Sequence, residues 1–224
     1  MTGDAPGPLP ATVAVTGATG FLGRHLCAAL EAEGARVLRL GRGEGSDRQT
    51  DYGEESLAAA LDGAGAVVHL AGRRMTREDD PLDLAPFWGP NVQAVAALVR
   101  AARRAGTGRI VLASTIAVYG PASGHPYRED AAPDPTNAYG LSKLAAEGVL
   151  AMATRAEGPP SVALRLAAVY GPGEKGTPAL MTLFNRAREG KALEVRGNPG
   201  HRIDQIYVRA ACAALVAALT RRAT

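Results

Sequence analysis

The sequence predicts an α/β fold: a doubly wound parallel sheet with a small C-terminal cap. Three observations predict it. Short β-branched runs alternate with amphipathic segments between residues 12 and 166, the pattern of a parallel sheet covered on both faces. A glycine-rich turn joins the first run to the first amphipathic segment. The alternation stops near Gly171, and shorter elements follow. At 224 residues, the chain suits one sizeable domain with its own core.

The elements follow in order. "TVAVT" (Thr12–Thr16) reads as a buried strand. A helix follows with Leu22, Leu26 and Leu30 on one face. "RVLRL" (Arg36–Leu40) is the next strand, "EESLAAAL" a short helix and "AVVHLAG" (Ala66–Gly72) another strand. "NVQAVAALVRAARRAG" (Asn91–Gly106) is a helix closed by a C-terminal glycine. "RIVLAS" (Arg109–Ser114) is a strand, residues 138–156 a helix and "SVALRL" (Ser161–Leu166) a strand. Beyond Gly171, "YGPGEKGTP" is loop and residues 179–190 form a helix. Short extended pieces are expected at Leu193–Val195 and Gln205–Val208, and a last helix from Arg209. The expected organisation is a flexible arm at 1–10, a sheet domain at 11–171 and a small lobe at 172–224.

Composition narrows the function. Hydrophobic residues make up 46% and charged residues 21%, ordinary for a soluble globular chain. Aromatics are only 4%, so alanine and glycine fill apolar positions and helices should pack closely. The net charge is +3. The densest basic group, Arg100, Arg103, Arg104 and Arg109, reads as the solvated end of a helix. No aromatic platform accompanies it, which argues against nucleic acid. Cys27 and Cys212 lie far apart in apolar runs, and the four histidines are scattered. That excludes a disulfide framework and a metal-ligand spacing, and suits a reducing cytoplasm. The arm "MTGDAPGPLP" lacks the basic and apolar regions of a signal peptide. "AACAALVAAL" is too short to span a membrane.

Two motifs carry chemistry. "VTGATGFLG" places Gly17, Gly20 and Gly23 after a strand and at the opening of a helix. Glycines let the backbone approach a pyrophosphate, and the helix N-terminus supplies free N–H groups. A dinucleotide site is the reading. "NAYGLSK" places Tyr139 four residues before Lys143, one of only three lysines. Positions i and i+4 share a helix face. A tyrosine titrates near ~10 when free, and a neighbouring ammonium favours the phenolate.

The spacing Gly-x-x-Gly-x-x-Gly and this Tyr/Lys pair occur with "VVHLAG" (Val67–Gly72), "NV" (Asn91–Val92), "STIAVYG" (Ser114–Gly120), "PYREDAAPDPTNAYGLSKLAAE" (Pro126–Glu147) and "LRLAAVYGP" (Leu164–Pro172). Over residues 12–208 the chain thereby resembles the extended short-chain dehydrogenase/reductases, the NAD(P)-dependent epimerase/dehydratase family of nucleotide-sugar epimerases, dehydratases and ketoreductases. The resemblance implies a Rossmann-type fold and an enzyme. It assigns catalysis to Thr115, Tyr139 and Lys143. Tyr139 would exchange a proton with the substrate hydroxyl, Thr115 would hold the reacting oxygen, and Lys143 would bind the nicotinamide ribose and acidify Tyr139. It places the dinucleotide against Gly17, Thr19, Gly20, Phe21, Leu22, Gly23, Arg42, Asp51, Leu70, Ala71, Gly72, Asn91, Tyr139 and Lys143. Thr115 and Arg202 would touch substrate.

Several positions depart from the family pattern. NAD users end the second strand in an acid, and here Gly41 is followed by Arg42. A guanidinium suits a 2′-phosphate, so the expectation leans to NADP(H) over NAD(H), with Arg39 as a helper. Ala168 replaces the usual Asn, Arg202 is displaced by one residue, and Arg209 replaces an aspartate. The chain stops at Thr224, implying a shortened substrate lobe. The expected activity is an NADPH-dependent ketoreductase of a nucleotide-linked sugar. The alternatives are an epimerase that retains NAD and a non-catalytic dinucleotide-sensing or partner-binding protein. Dehydration ranks lower, because Ile116–Ala117 stand where an acidic pair is usual. The resemblance also implies a homodimer packed through two helices.

Overall fold

A computed structural model describes residues 7–124, 126–174, 179–194 and 203–220. Strand β1 (Thr12–Thr16) is buried on both faces, because it lies inside the sheet and its side chains alternate between two cores. Around it run β2 (Arg36–Gly41), β3 (Arg48–Gln49), β4 (Ala66–His69), β5 (Ile110–Thr115) and β6 (Ser161–Leu166), in the spatial order β3-β2-β1-β4-β5-β6. Every pairing is parallel, with Val13 opposite Val37 on one side and Ala66 on the other.

The helices cover both faces. On one side, α2 (Glu54–Ala60), α4 (Ala94–Arg104) and α5 (Ala138–Arg155) pack Leu57, Leu98 and Leu150 onto Leu38, Val67 and Leu112. On the other, α1 (Phe21–Ala32) and α7 (Val208–Thr220) pack Leu26, Leu30 and Leu215 onto Val13, Val15, Val68 and Val111. Each such buried aliphatic side chain stabilises by roughly 1.5–3 kcal/mol. Helix α7, expected within the lobe at 172–224, thus belongs to the core of the sheet. Helix α3 (Ala85–Phe87) runs through a π turn (Trp88–Gln93) into α4. After β6 come β7 (Ala168–Tyr170), α6 (Ala179–Arg188) and β8 (Gln205–Tyr207), and β7 pairs in parallel with β8.

Some boundaries differ from expectation. The strand expected at 66–72 ends at His69, because the Leu70 and Ala71 N–H groups donate to Thr16 Oγ1 at 3.2 Å. The helix expected from Asn91 starts as the π turn. No strand forms at 193–194, and Val195 is outside the described residues. The arginine group is spent on structure. Arg100 pairs with Glu54 and Arg104 with Glu55, each at 2.5 Å, tying α4 to α2. Arg109 Nε donates to the Ala218 carbonyl near the end of α7 at 2.7 Å. Among the described residues no helix is long and apolar enough to cross a membrane, and no acidic, histidine or cysteine cluster could hold a metal ion.

Candidate active site

The chain order reverses between β1 and β4, and ligands of open parallel sheets bind in the crevice outside such a switch point. A cavity of about 730 Å³ opens there. At one end lies the glycine turn. Gly17 has φ +67°, and a Cβ on it would stand 2.9 Å from the Ala71 nitrogen. A Cβ on Gly23 would meet the Gly17 carbonyl at 2.2 Å, so only glycine lets α1 begin this close to β1. No side chain caps the N-terminus of α1, and its first turn holds no acid. Those N–H groups and the helix dipole suit an anion. This end of the cavity therefore fits a dinucleotide pyrophosphate, with Gly17, Gly20, Phe21, Leu22 and Gly23 along it.

The polar residues at the ends of β1 and β4 are fully buried. Thr16 Oγ1 accepts from Leu70 and Ala71, so its own proton goes to His69 Nδ1 at 2.8 Å. The imidazole proton must then sit on Nε2, which has no partner among the described residues. Burial first, and then the charge of Lys143, hold the His69 pKa down at about 3. Asn91 sits in the π turn, and such turns are frequent at functional sites. Its Oδ1 accepts from Arg73 N at 2.8 Å. Its Nδ2 donates to the Arg73 carbonyl at 3.0 Å and to Ser142 Oγ at 2.9 Å. Ser142 in turn donates to the Tyr139 carbonyl at 2.7 Å. Asn91 thus locks the loop after β4 to the start of α5.

Thr115, Tyr139 and Lys143 also line this cavity. Asn137 caps α5 through Gly140 N at 2.8 Å and so fixes the turn that carries Tyr139. Thr115 Oγ1 accepts from Ala117 N at 3.1 Å, which leaves its proton for Tyr139. The neighbouring Ser114 donates to Glu147 instead. Burial raises the Tyr139 phenol above its ordinary value, and the Thr115 hydroxyl and then Arg74 partly offset this. The expected pull of Lys143 on Tyr139 is not among these effects. Lys143 is itself buried, and burial holds its amine down at about 8 while Glu147 pulls it up.

The other expected residues divide. Leu70, Gly72 and Asn91 line the cavity, while Thr19, Arg42, Asp51 and Ala71 do not. Asp51 accepts from Gly53 N at 2.8 Å and from Ser56 Oγ, so its carboxylate secures the start of α2 and lies below its ordinary pKa range. The Arg42 guanidinium lies 5.2 Å from the ring centroid of Tyr52. A Cβ on Gly41 would meet Ser46 Oγ at 2.6 Å, so a serine hydroxyl takes the space of the missing acid. Arg39 is not available as a helper. Strand alternation aims it at α1, where it pairs with Glu31, and Asp47 of the loop after β2 reaches it at 3.4 Å. Arg202 lies outside the described residues.

Three residues were missed. Tyr52 adopts φ +69°, rare for an aromatic residue, and takes a backbone hydrogen bond from Gly17. Arg74 lines the cavity beside Tyr139 and pairs with Glu174 at 3.3 Å. Glu147 stands one turn beyond Lys143 on α5. Only Glu147 left a signal in the sequence, through its i+4 spacing from Lys143.

The chain has clear relatives. The family model described as the NAD dependent epimerase/dehydratase family matches residues 13–224. The crystal structure of UDP-N-acetylglucosamine 4-epimerase from Bacillus cereus is similar, with a TM-score of 0.86 and 31% identity over 93% of this chain and 71% of that one. MoeE5 in complex with UDP-glucose and NAD gives a TM-score of 0.81 at 34% identity, covering 94% of this chain and 72% of that one. Ceramide reductase of Caulobacter vibrioides is 34% identical over 228 residues, 97% of this chain and 62% of the relative. The chain spans 51 to 68% of the length of the first three curated relatives.

Proposed function

Because the chain belongs to the NAD dependent epimerase/dehydratase family, we propose that it acts on a nucleotide-linked sugar as an epimerase that retains its dinucleotide. One observation carries the reading. Thr115, Tyr139 and Lys143 line the same cavity as the glycine turn that opens α1, whose N-terminus no side chain caps. A bound nicotinamide dinucleotide supplies acceptance and return of a hydride. The residues do the rest. Gly17, Gly20, Phe21, Leu22 and Gly23 hold the pyrophosphate on backbone N–H groups. Lys143 binds the ribose beside the reacting carbon. Thr115 turns its one proton from Tyr139 to the substrate oxygen, and Tyr139 takes the hydroxyl proton and returns it to the opposite stereoisomer.

The B. cereus 4-epimerase and the complex of MoeE5 with UDP-glucose and NAD support this over the NADPH-dependent ketoreductase to which the sequence leans. The ketoreductase remains the second reading. Arg42, stacked on Tyr52 beside acid-free Gly41, favours it, as does the likeness to ceramide reductase. The test has two steps. The purified protein is denatured and the released nucleotide identified by mass spectrometry. Turnover is then followed with UDP-glucose and UDP-N-acetylglucosamine. Retained NAD and formation of the C4 epimer support the epimerase, and NADP(H) supports the reductase. Tyr139→Phe should lower turnover by about 10²–10⁴-fold. Unchanged turnover in that variant sinks the catalytic reading. A bound dinucleotide with no turnover of any sugar or carbonyl favours the sensing protein.

A further inference from the structure

Helix α5 carries Tyr139, Lys143 and Glu147 at successive fourth positions, which share one face. Lys143 is 7% exposed, and the Glu147 side chain 12%. Glu147 is anchored from two strands. Arg165 on β6 grips it through Nη2 to Oε2 at 2.8 Å and Nε to Oε1 at 3.2 Å. Ser114 on β5 donates to Oε1. Arg165 is itself held, since its Nη1 donates to the Tyr119 hydroxyl at 2.7 Å and its guanidinium lies 4.8 Å from that ring's centroid. The Glu147 carboxylate thus accepts a bidentate guanidinium and a hydroxyl proton at once.

Among the described residues Lys143 makes no ion pair within 4 Å, and Glu147 stands one turn further along the same helix face. The titratable and charged groups around it are Glu147 and Tyr139 on α5, neutral His69 on β4, and Arg165 behind Glu147 on β6. We propose that Glu147, fixed by Arg165 and Ser114, is a positioning residue that keeps buried Lys143 an ammonium and so sets the alkaline limit of the site. Burial alone favours the neutral amine. Glu147 is the opposing influence, and with it the amine stands at about 8. Removing its charge also leaves Arg165 without its carboxylate, which adds a like charge near Lys143. The consequence for turnover rests on the catalytic reading above, but the protonation of Lys143 does not.

The chain has only three lysines, Lys143, Lys175 and Lys191, so the amine can be followed directly. Protein labelled with ¹³C at the lysine ε-carbon is titrated by NMR without substrate. The Lys143 signal is the one lost in Lys143→Met. In the wild type it titrates near pH 8. In Glu147→Gln the midpoint should fall by about one pH unit or more, and the alkaline limb of turnover should fall with it. Glu147→Asp keeps the charge and should restore most of the shift, which a purely structural role for Glu147 does not predict. Should Glu147→Gln not fold, Glu147→Gln with Arg165→Gln leaves no unpaired buried ion, and the midpoint must still fall. A folded variant without the Glu147 charge in which Lys143 titrates as in the wild type overturns the proposal. An active Tyr139→Phe with the shift intact is a different result. It removes the catalytic reading and leaves the role of Glu147 standing.

Discussion

Buried His69, at the end of β4, makes the fold acid-sensitive. The imidazole is 1% exposed, and its Nδ1 already receives the Thr16 proton, so charging it puts a second donor against the first. The folded-state pKa is about 3, against about 6.5 for an unperturbed histidine. Between those values the unfolded chain binds the proton and the folded chain does not. The contribution of neutral His69 is therefore complete above about pH 6.5 and is lost as pH falls toward 3. Each pH unit in that window costs about 1.4 kcal/mol, so pH 5 costs about 2 kcal/mol relative to neutral pH. The perturbation is His69→Asn, whose amide oxygen can accept from Thr16 in place of Nδ1 without titrating. Urea unfolding of both proteins at pH 7.5 and pH 5 is the assay. The wild type should lose about 2 kcal/mol more than the variant over that interval. The comparison subtracts the carboxylates and the other histidines, which both proteins share. Parallel losses would show that His69 is charged or solvated in the folded state, and the tautomer argument would fall with it.

Two further predictions follow from the glycine turn and the end of β2. Gly23→Ala forces a methyl against the Gly17 carbonyl and Ala18 backbone, and should destabilise by roughly 1–3 kcal/mol in urea unfolding. Loss of dinucleotide binding should accompany it. If Arg42 pairs with a 2′-phosphate, Arg42→Ala should weaken NADP(H) binding by about 10- to 100-fold, the worth of a charge-assisted hydrogen bond, and leave NAD(H) nearly unchanged. Equal loss for both dinucleotides in a fluorescence titration assigns Arg42 to packing on Tyr52 instead.

Much of the architecture was legible because it rests on local periodicity. Val13 and Val15 on one face with Ala14 on the other, or Leu26 and Leu30 one turn apart, identify a buried strand and an amphipathic helix without any tertiary information. The Tyr139–Lys143 spacing works in the same way, since α5 converts a separation of four into a shared face. Features without a period were not legible. β3 is two residues long and exists only through its register with Leu40 and Gly41. The π turn at Trp88–Gln93 depends on Asn91 reaching both Arg73 and Ser142. The direction of Arg39 was open to alternation, and its acidic partners on α1 and in the loop after β2 settle it. Arg74 reaches Tyr139 from a loop distant in sequence, which no local spacing announces.

The same contrast separates chemistry from specificity in this fold. The groups proposed to hold the dinucleotide and move the proton stand on β1, β4, β5, α1 and α5, and all of these pack into the two cores. Even α7, from the far end of the chain, is used to bury that sheet. Among the described residues, the elements between them, β7, α6 and β8, contribute no side chain to either core except Val169 at its margin. They instead expose Phe184 and Tyr207. Substitutions on the sheet side should therefore alter stability and turnover together, because each residue there is also a packing or hydrogen-bonding partner. If β7, α6 and β8 border the proposed substrate, substitutions there should alter which one is accepted at little cost to the fold. That freedom is consistent with relatives of similar identity that bear the names of a sugar-nucleotide epimerase and a ceramide reductase.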